Sequence, residues 1–228
     1  KDSALKRVIK VSALPPEHPA KQYVTSRLIP SAQHYKLFYS PKFKSWVNSI
    51  IPGKFEYTEH DEPRLIIPFL DEKKTLFGFQ GRSFDPKSTA KYITIMLDES
   101  KPKMFGLDAV DKSHRIYMFE GPIDAMFIDN SVASAGGKID SIFKLTSFSK
   151  DDTVIVYDNE PRSKHTIAKM ESAIDNGCQV CFWPPSQHID VNDMIMAGMT
   201  PESVKAAIDS SIYKGLAAKL QLNIWKKV

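Results

Sequence analysis

Cysteine is nearly missing. Of the 228 residues only Cys178 and Cys181 are cysteines, and no second Cys-x-x-Cys pair exists to complete a zinc site. The two alternate with Gln179 in an apolar run that ends in Phe182-Trp183, so one or both are expected to be small core residues. No apolar run is long enough to span a bilayer and no signal peptide is present, which indicates a cytoplasmic protein with reduced thiols. Nor is there a strong charge of one sign. Lys plus Arg number 31 against 27 for Asp plus Glu, a net charge of +4 that matters only where it segregates. It does segregate: Lys1, Lys6, Arg7, Lys10, Lys21 and Arg27 stand in the first thirty residues against Asp2 and Glu17, while acidic groups gather further on. A full P-loop pattern is absent, so Gly136-Gly137 reads as a tight turn. His165 and His188 lack other metal-type ligands at useful spacing and are expected to be structural or solvated. The first residue is Lys1 rather than Met, and the expectation is a piece of a longer protein with a domain in front.

What is present is an ordinary globular composition, 42% hydrophobic and 25% charged. A chain of this length buries roughly 70% of its unfolded surface, enough for one large domain or two smaller ones sharing an interface.

The organising stretch is Ile116-Tyr117-Met118-Phe119-Glu120-Gly121-Pro122-Ile123-Asp124. An apolar, β-favouring run enters an acidic residue, a Gly-Pro pair and then a helical pattern: strand, turn, helix. Glu120 therefore stands at the carboxyl end of a buried strand, where open parallel sheets keep their ligand crevice, and Asp124 follows on the first helical turn. The arrangement repeats. Thr153–Tyr157 is a second apolar run ending in Asp158-Asn159-Glu160-Pro161, and Cys178–Trp183 is a third, followed by Asp190-Val191-Asn192-Asp193. Three strand ends deliver carboxylates to one sheet edge. Such a cluster repels itself, and a hard divalent ion, Mg²⁺ or Mn²⁺, relieves the repulsion.

In chain order, residues 1–17 form a basic tether or an edge strand (Val8 to Val11), and a short helix spans about Pro19 to Arg27 with Tyr23 and Val24 inward. Tyr35, Phe38, Tyr39, Phe43 and Trp46 interleave with Lys36, Lys42 and Lys44. That mixture suits either a single-stranded nucleic acid groove or a core with solvated lysines. Residues 64–70 and 75–81 read as a hairpin about Asp71-Glu72-Lys73-Lys74, with Gly78 and Gly81 marking a bulge or a close backbone approach, and Tyr92 to Met96 as the next strand. From residue 115 strands and helices alternate: strands 115–119, 131–134, 153–157 and 178–183, helices 122–129, 139–146, 163–176 and 191–197. That alternation implies a parallel sheet covered by helices on both faces. Thr200-Pro201 caps a final helix whose stripe Val204, Ile208, Ile212, Leu216 and Leu220 packs on the domain, with Gly215 bending or dividing it. Leu222 to Trp225, with Lys226 and Lys227, are a candidate helicase-docking end.

Glu120-Gly121-Pro122-Ile123-Asp124, then Asp158-x-Glu160, then Asp190-x-Asn192-Asp193 resembles the Toprim domain of bacterial-type primases, topoisomerases and some nucleases. Arg64–Phe69, Gly78–Arg82, Lys91–Thr94 and Phe105-Gly106-Leu107 resemble the segment that precedes Toprim in DnaG-type primases, in particular those of T-even-like myophages. The resemblance runs from about His18-Pro19 to the last helix. It implies an α/β fold, α+β taken as a whole. The organisation would be a mixed α+β basic subdomain (1–112), a Toprim metal-binding domain with a parallel sheet and flanking helices (113–199), and a C-terminal helical segment (200–228).

The activity implied is DNA primase: an RNA polymerase core that makes short RNA primers on single-stranded DNA from ribonucleoside triphosphates. Asp158, Glu160 and Glu120 would hold metal, with Glu120 also the general base. Asp124, Asp190 and Asp193 would hold a second ion or orient the first. Arg64, Arg82, Lys91 and Lys101 or Lys103 would grip nucleotide phosphates or template. The implied cofactor is Mg²⁺ or Mn²⁺, two ions, with no zinc in these residues. The implied partners are template DNA, ribonucleoside triphosphates, a replicative helicase and an N-terminal zinc-binding domain of the same protein, in the cytoplasm of an infected bacterium. Alternatives are a Toprim nuclease, against which the segment from Arg64 to Leu107 argues, a topoisomerase, for which no tyrosine-bearing domain is seen, and a non-catalytic nucleic-acid or helicase-binding module. Two departures from the cellular pattern stand out: Glu160 replaces an Asp, and Ile189 stands where cellular primases usually place Lys.

Overall fold

Residues 4–228 are described by the structure, a computed structural model; Lys1 and Asp2 lie outside the described residues. The chain divides into two compact units, one running to Lys101 and the other Pro102–Val228.

The first unit contains β1 (Ile9–Lys10), α1 (Pro19–Ser26), α2 (Ser31–His34), β2 (Phe38–Ser40), α3 (Phe43–Asn48), β3 (Arg64–Leu70), β4 (Leu76–Ser83) and β5 (Tyr92–Met96). The strands form one antiparallel sheet in chain order, with the expected edge strand reduced to the two residues of β1. The β3–β4 hairpin closes through Asp71, whose carboxylate accepts the N–H groups of Lys73 at 3.0 Å and Thr75 at 2.9 Å. Phe38, Phe43, Trp46, Ile66, Phe79 and Ile95 pack as one core. The aromatic run is thus mostly interior; Tyr35 is the exposed member, at 67%. Gly81 is there because of Phe43: a Cβ at this position would lie 2.4 Å from the ring. A Cβ at Gly78 would stand 2.9 Å from the Ile95 carbonyl, so both glycines mark close approaches, and the hairpin's irregularity falls instead at Phe69/Leu70.

The second unit holds β6 (Ile116–Phe119), α4 (Pro122–Ala125), β7 (Ser131–Ala133), α5 (Ile139–Leu145), β8 (Thr153–Val156), α6 (Lys164–Asp175), β9 (Gln179–Cys181), α7 (Val191–Met196), α8 (Pro201–Asp209), β10 (Ile212–Tyr213) and α9 (Gly215–Trp225). Its sheet has the order β10-β9-β8-β6-β7, parallel throughout except at β10. Ile155, Val180 and Phe182 pack with Ile167, Met170 and Ile174 of α6 and with Ala218, Leu222 and Trp225 of α9. The alternate residues Val154, Val156 and Cys181 are buried too, as is Cys178, so the sheet is covered on both faces.

Two expectations change. The helix over 122–129 is one turn, after which Met126 and Phe127 donate to carbonyls three residues back, a tighter winding. The four-residue stripe of the C-terminal segment is not one helix face. Ile212 and Tyr213 leave α8 to pair antiparallel with Cys181 and Val180, and Gly215, at φ +58°, opens a new helix with a different buried face. Leu216 and Leu220 are consequently exposed, at 73% and 58%, whereas Leu222 and Trp225 are core residues rather than a free docking end.

Candidate active site

β6 and β8 are adjacent and parallel, so Glu120 and Asp158 leave neighbouring strands at the same end. Glu120 is tied down from two sides. Its carbonyl accepts the Ala135 N–H at 3.0 Å, and its carboxylate pairs with Lys169 of α6. Glu160 lies in the turn before α6, where Ser163 caps the helix, and its Oε2 accepts the Thr166 hydroxyl at 2.7 Å. Asp190 caps α7, accepting the Asp193 N–H at 2.7 Å. Asp124, on α4, accepts the Asn192 N–H at 2.9 Å.

The loop between β9 and α7 is held to the end of β8 by buried Asn159. Its backbone N–H donates to the Ile189 carbonyl at 2.6 Å, and its side-chain amide donates to the His188 carbonyl at 3.1 Å. This bond pattern carries Asp190 to Asp158.

The six carboxylates share one electrostatic field. Burial and then Glu120, Asp190 and Glu160 push the Asp158 carboxyl up to about 7, while Lys169 pulls it down. Asp124 is half-buried as a residue but its carboxyl is enclosed. Burial first and then Asp190, with smaller effects of Asp158 and Asp193, hold it well above the usual carboxylate range. Among the described residues, no three Asp, Glu, His or Cys side chains are already gathered around one point that an ion would fill. The reason is visible in the bonds above: Lys169, Thr166 and backbone N–H groups each hold one carboxylate in its own place. The donor set itself is all oxygen and electrostatically short of positive charge, which fits a hard divalent cation.

The basic candidates divide differently. Arg64 is 2% exposed; its guanidinium pairs with Glu62 and donates to the Gly81 carbonyl at 2.9 Å. Arg82 is 5% exposed, donates to the Ser83 carbonyl at 2.8 Å and lies between the rings of Tyr23 and Tyr92, at 5.7 and 4.9 Å. Lys91 is exposed, and half-buried Lys101 pairs with Asp71 at 3.6 Å. Lys103 is exposed and belongs to the second unit.

Over 228 residues the chain is 37% identical to the DNA primase of Enterobacteria phage T4, an alignment that covers 99% of this chain and 65% of that protein's length. The Escherichia coli primase catalytic core superposes with a TM-score of 0.68 at 18% identity, over 98% of this chain and 82% of that one. This is the fold of a DnaG-type primase catalytic core. The RNA polymerase domain of Mycobacterium tuberculosis primase DnaG is equally similar, with a TM-score of 0.68 at 20% identity over 91% of this chain and 81% of its own. A DnaG primase catalytic domain bound to single-stranded DNA matches with a TM-score of 0.66 at 18% identity, over 92% and 77% of the two chains. No family model matches.

Within this fold, sequence reasoning missed Lys169, Thr166, Asn159 and Glu62. A signal existed for the first two. Once Glu160 is placed just before a helix, residues three apart on that helix share a face, and Thr166 and Lys169 are so spaced. Asn159 had none, because its partners are carbonyls about thirty residues away; Glu62 stands two residues from Arg64, but that it also accepts the Ser83 hydroxyl on β4 is decided only by the fold. No helix among the described residues is long and apolar enough to cross a membrane.

Proposed function

We propose that the chain is the RNA-polymerising core of a phage DNA primase. It would join ribonucleoside triphosphates on a single-stranded DNA template by metal-dependent nucleotidyl transfer, in the cytoplasm of an infected bacterium. The observation that carries the reading is the set of acidic groups at the strand ends of a DnaG-type core, Glu120, Asp158 and Glu160 with Asp124, Asp190 and Asp193 beside them, in a chain 37% identical to a phage DNA primase.

Asp158, Glu160 and Glu120 would hold Mg²⁺ or Mn²⁺, and Asp124, Asp190 and Asp193 would hold a second ion or orient the first three. The bound metal supplies Lewis-acid stabilisation of the charge on the entering and leaving oxygens. Glu120 takes the proton of the attacking 3′-hydroxyl once Lys169 releases it. The Thr166 hydroxyl and the Asp193 N–H, which donate to Glu160 and Asp190, would orient these carboxylates once metal is bound. Lys91, Lys101 and Lys103 offer ammonium groups to phosphates without reading sequence. The buried guanidiniums of Arg64 and Arg82 act by positioning β4 and Tyr92 rather than by direct contact. Start-site choice and stimulation are assigned to a zinc-binding domain of the same protein and to a replicative helicase.

The test is incorporation of labelled ribonucleotides on single-stranded DNA with Mg²⁺ or Mn²⁺, with and without the zinc-binding domain in trans. Short RNA products that vanish in Asp158→Ala establish the polymerase. Template cleavage in their place would establish a nuclease, and DNA binding with neither reaction a non-catalytic module.

A further inference from the structure

Beside the carboxylates the second unit carries a cavity of about 580 Å³, lined by the turn after β7 and by the outward face of α6. Its cationic groups are Lys138 and Lys169, with His165 near them; Ser134 and Ser172 add hydroxyls, and Ile139, Tyr157 and Ala168 form an apolar wall. Among the described residues Glu120 is the acidic side chain that lines it. The volume lies within the roughly 300–1,000 Å³ of small-molecule sites, and is too large for a lone phosphate. The Lys169–Glu120 ion pair therefore lies in the cavity wall, since both residues line it.

We propose that this cavity binds a polyphosphate, either on a nucleoside or free as pyrophosphate, and that the ligand draws Lys169 away from Glu120. Removal of the Lys169 charge frees Glu120 for the metal-holding role, so anion and divalent cation bind with positive coupling, each raising the affinity of the other. The coupling clause rests on the reading of Glu120 given above; the anion site does not. Lys169 is a positioning residue here, because it acts through Glu120. The Gly136-Gly137 turn, closed by the Gly137 N–H donating to the Ser134 carbonyl at 2.6 Å, lines the cavity without a side chain.

The experiment is calorimetric titration of the whole chain in EDTA with ATP, pyrophosphate and adenosine, so that no metal contributes. ATP and pyrophosphate are expected to bind and adenosine to bind at least tenfold more weakly; ATP tighter than pyrophosphate marks the nucleoside form as the occupant, and the reverse marks the free anion. Lys169→Gln and the cavity-filling Ala168→Trp should each weaken binding at least fivefold, with circular dichroism showing both folded. Glu120→Gln should strengthen it two- to fivefold, because the competing carboxylate is gone. A site in which phosphate is held only through metal on the carboxylates shows no binding in EDTA, and that result overturns the proposal, as does binding indifferent to Ala168→Trp. Mn²⁺ titration followed by electron paramagnetic resonance reads the coupling separately: pyrophosphate should tighten Mn²⁺ binding in the native chain and leave it unchanged in Lys169→Gln. Unchanged Mn²⁺ affinity in the native chain overturns the coupling, whereas loss of Mn²⁺ binding altogether points instead to a failure of the metal reading.

Discussion

The Asn192 N–H donates to Asp124 Oδ1 at 2.9 Å, joining the first acidic motif to the last across 68 residues of chain. The bond also takes up one lone pair of a carboxyl whose environment disfavours its charge. Asp124→Asn keeps an acceptor oxygen in place and removes the charge, so metal-free protein at pH 8 should be as stable as the native chain or more so. Asp124→Ala leaves the Asn192 N–H without its partner and should cost about 1–2 kcal/mol. Thermal denaturation of the two variants side by side in EDTA decides it: equal melting temperatures would show that the hydrogen bond does not position α7.

Asp158 makes stability depend on pH. Its folded-state pKa is raised from 3.8 to about 7, so between these values the folded protein binds the proton that the unfolded chain has lost. Stability of the metal-free protein must then fall as pH rises from 4 to 7 and level off above. The contribution should be about 1–2 kcal/mol after allowance for solvent screening of a half-buried group. Denaturant midpoints across this range should show the slope, and Asp158→Asn should flatten it and, on the function proposed above, abolish ribonucleotide incorporation. Excess Mg²⁺ should restore stability above pH 7, because a cation binds the ionised carboxylate.

Gly81→Ala is a test of the first unit. The added methyl group meets the Phe43 ring at 2.4 Å, and that ring is backed by Trp46 and Phe79, at centroid distances of 6.2 and 6.4 Å, so it has little room to retreat. Overpacking of this kind costs roughly 1–3 kcal/mol, or several degrees in melting temperature. A Gly81→Ala, Phe43→Leu double variant should recover part of the loss; recovery of none would mean that the backbone conformation, not the ring, requires glycine.

The last helix separates neighbours by role. Trp225 is 9% exposed and its ring meets that of Phe182 at 6.2 Å, whereas Ile224 is 76% exposed. Trp225→Ala should destabilise the second unit by about 3 kcal/mol. Ile224→Ala should change stability by less than about 0.5 kcal/mol. Chemical denaturation measures both, and a similar cost at the two positions would mean that α9 is seated differently.

Much of the second unit was legible in sequence because its signals are local. Apolar runs of strand length, acidic residues at their ends and helical periodicity between them depend on spacing along the chain. Spacing also sufficed to bring Glu120, Asp158 and Asp190 to one sheet edge. The C-terminal stripe misled for the same reason. A four-residue repeat is compatible with one helix, but Ile212 and Tyr213 gain backbone partners on β9, and no local pattern shows that an edge strand is available.

Sequence alone determined the strand-turn-helix order and the residue types at the strand ends, since periodicity and turn chemistry act over a few residues. Tertiary structure alone decided what each charge does. Arg64 and Arg82 look like free phosphate ligands by composition, yet the former is paired with Glu62 and the latter stacked between Tyr23 and Tyr92; Lys169 looks like a solvated helix lysine, yet it holds Glu120. Ion pairs and desolvation depend on distance in space and on the water excluded between groups, quantities that a one-dimensional pattern does not contain.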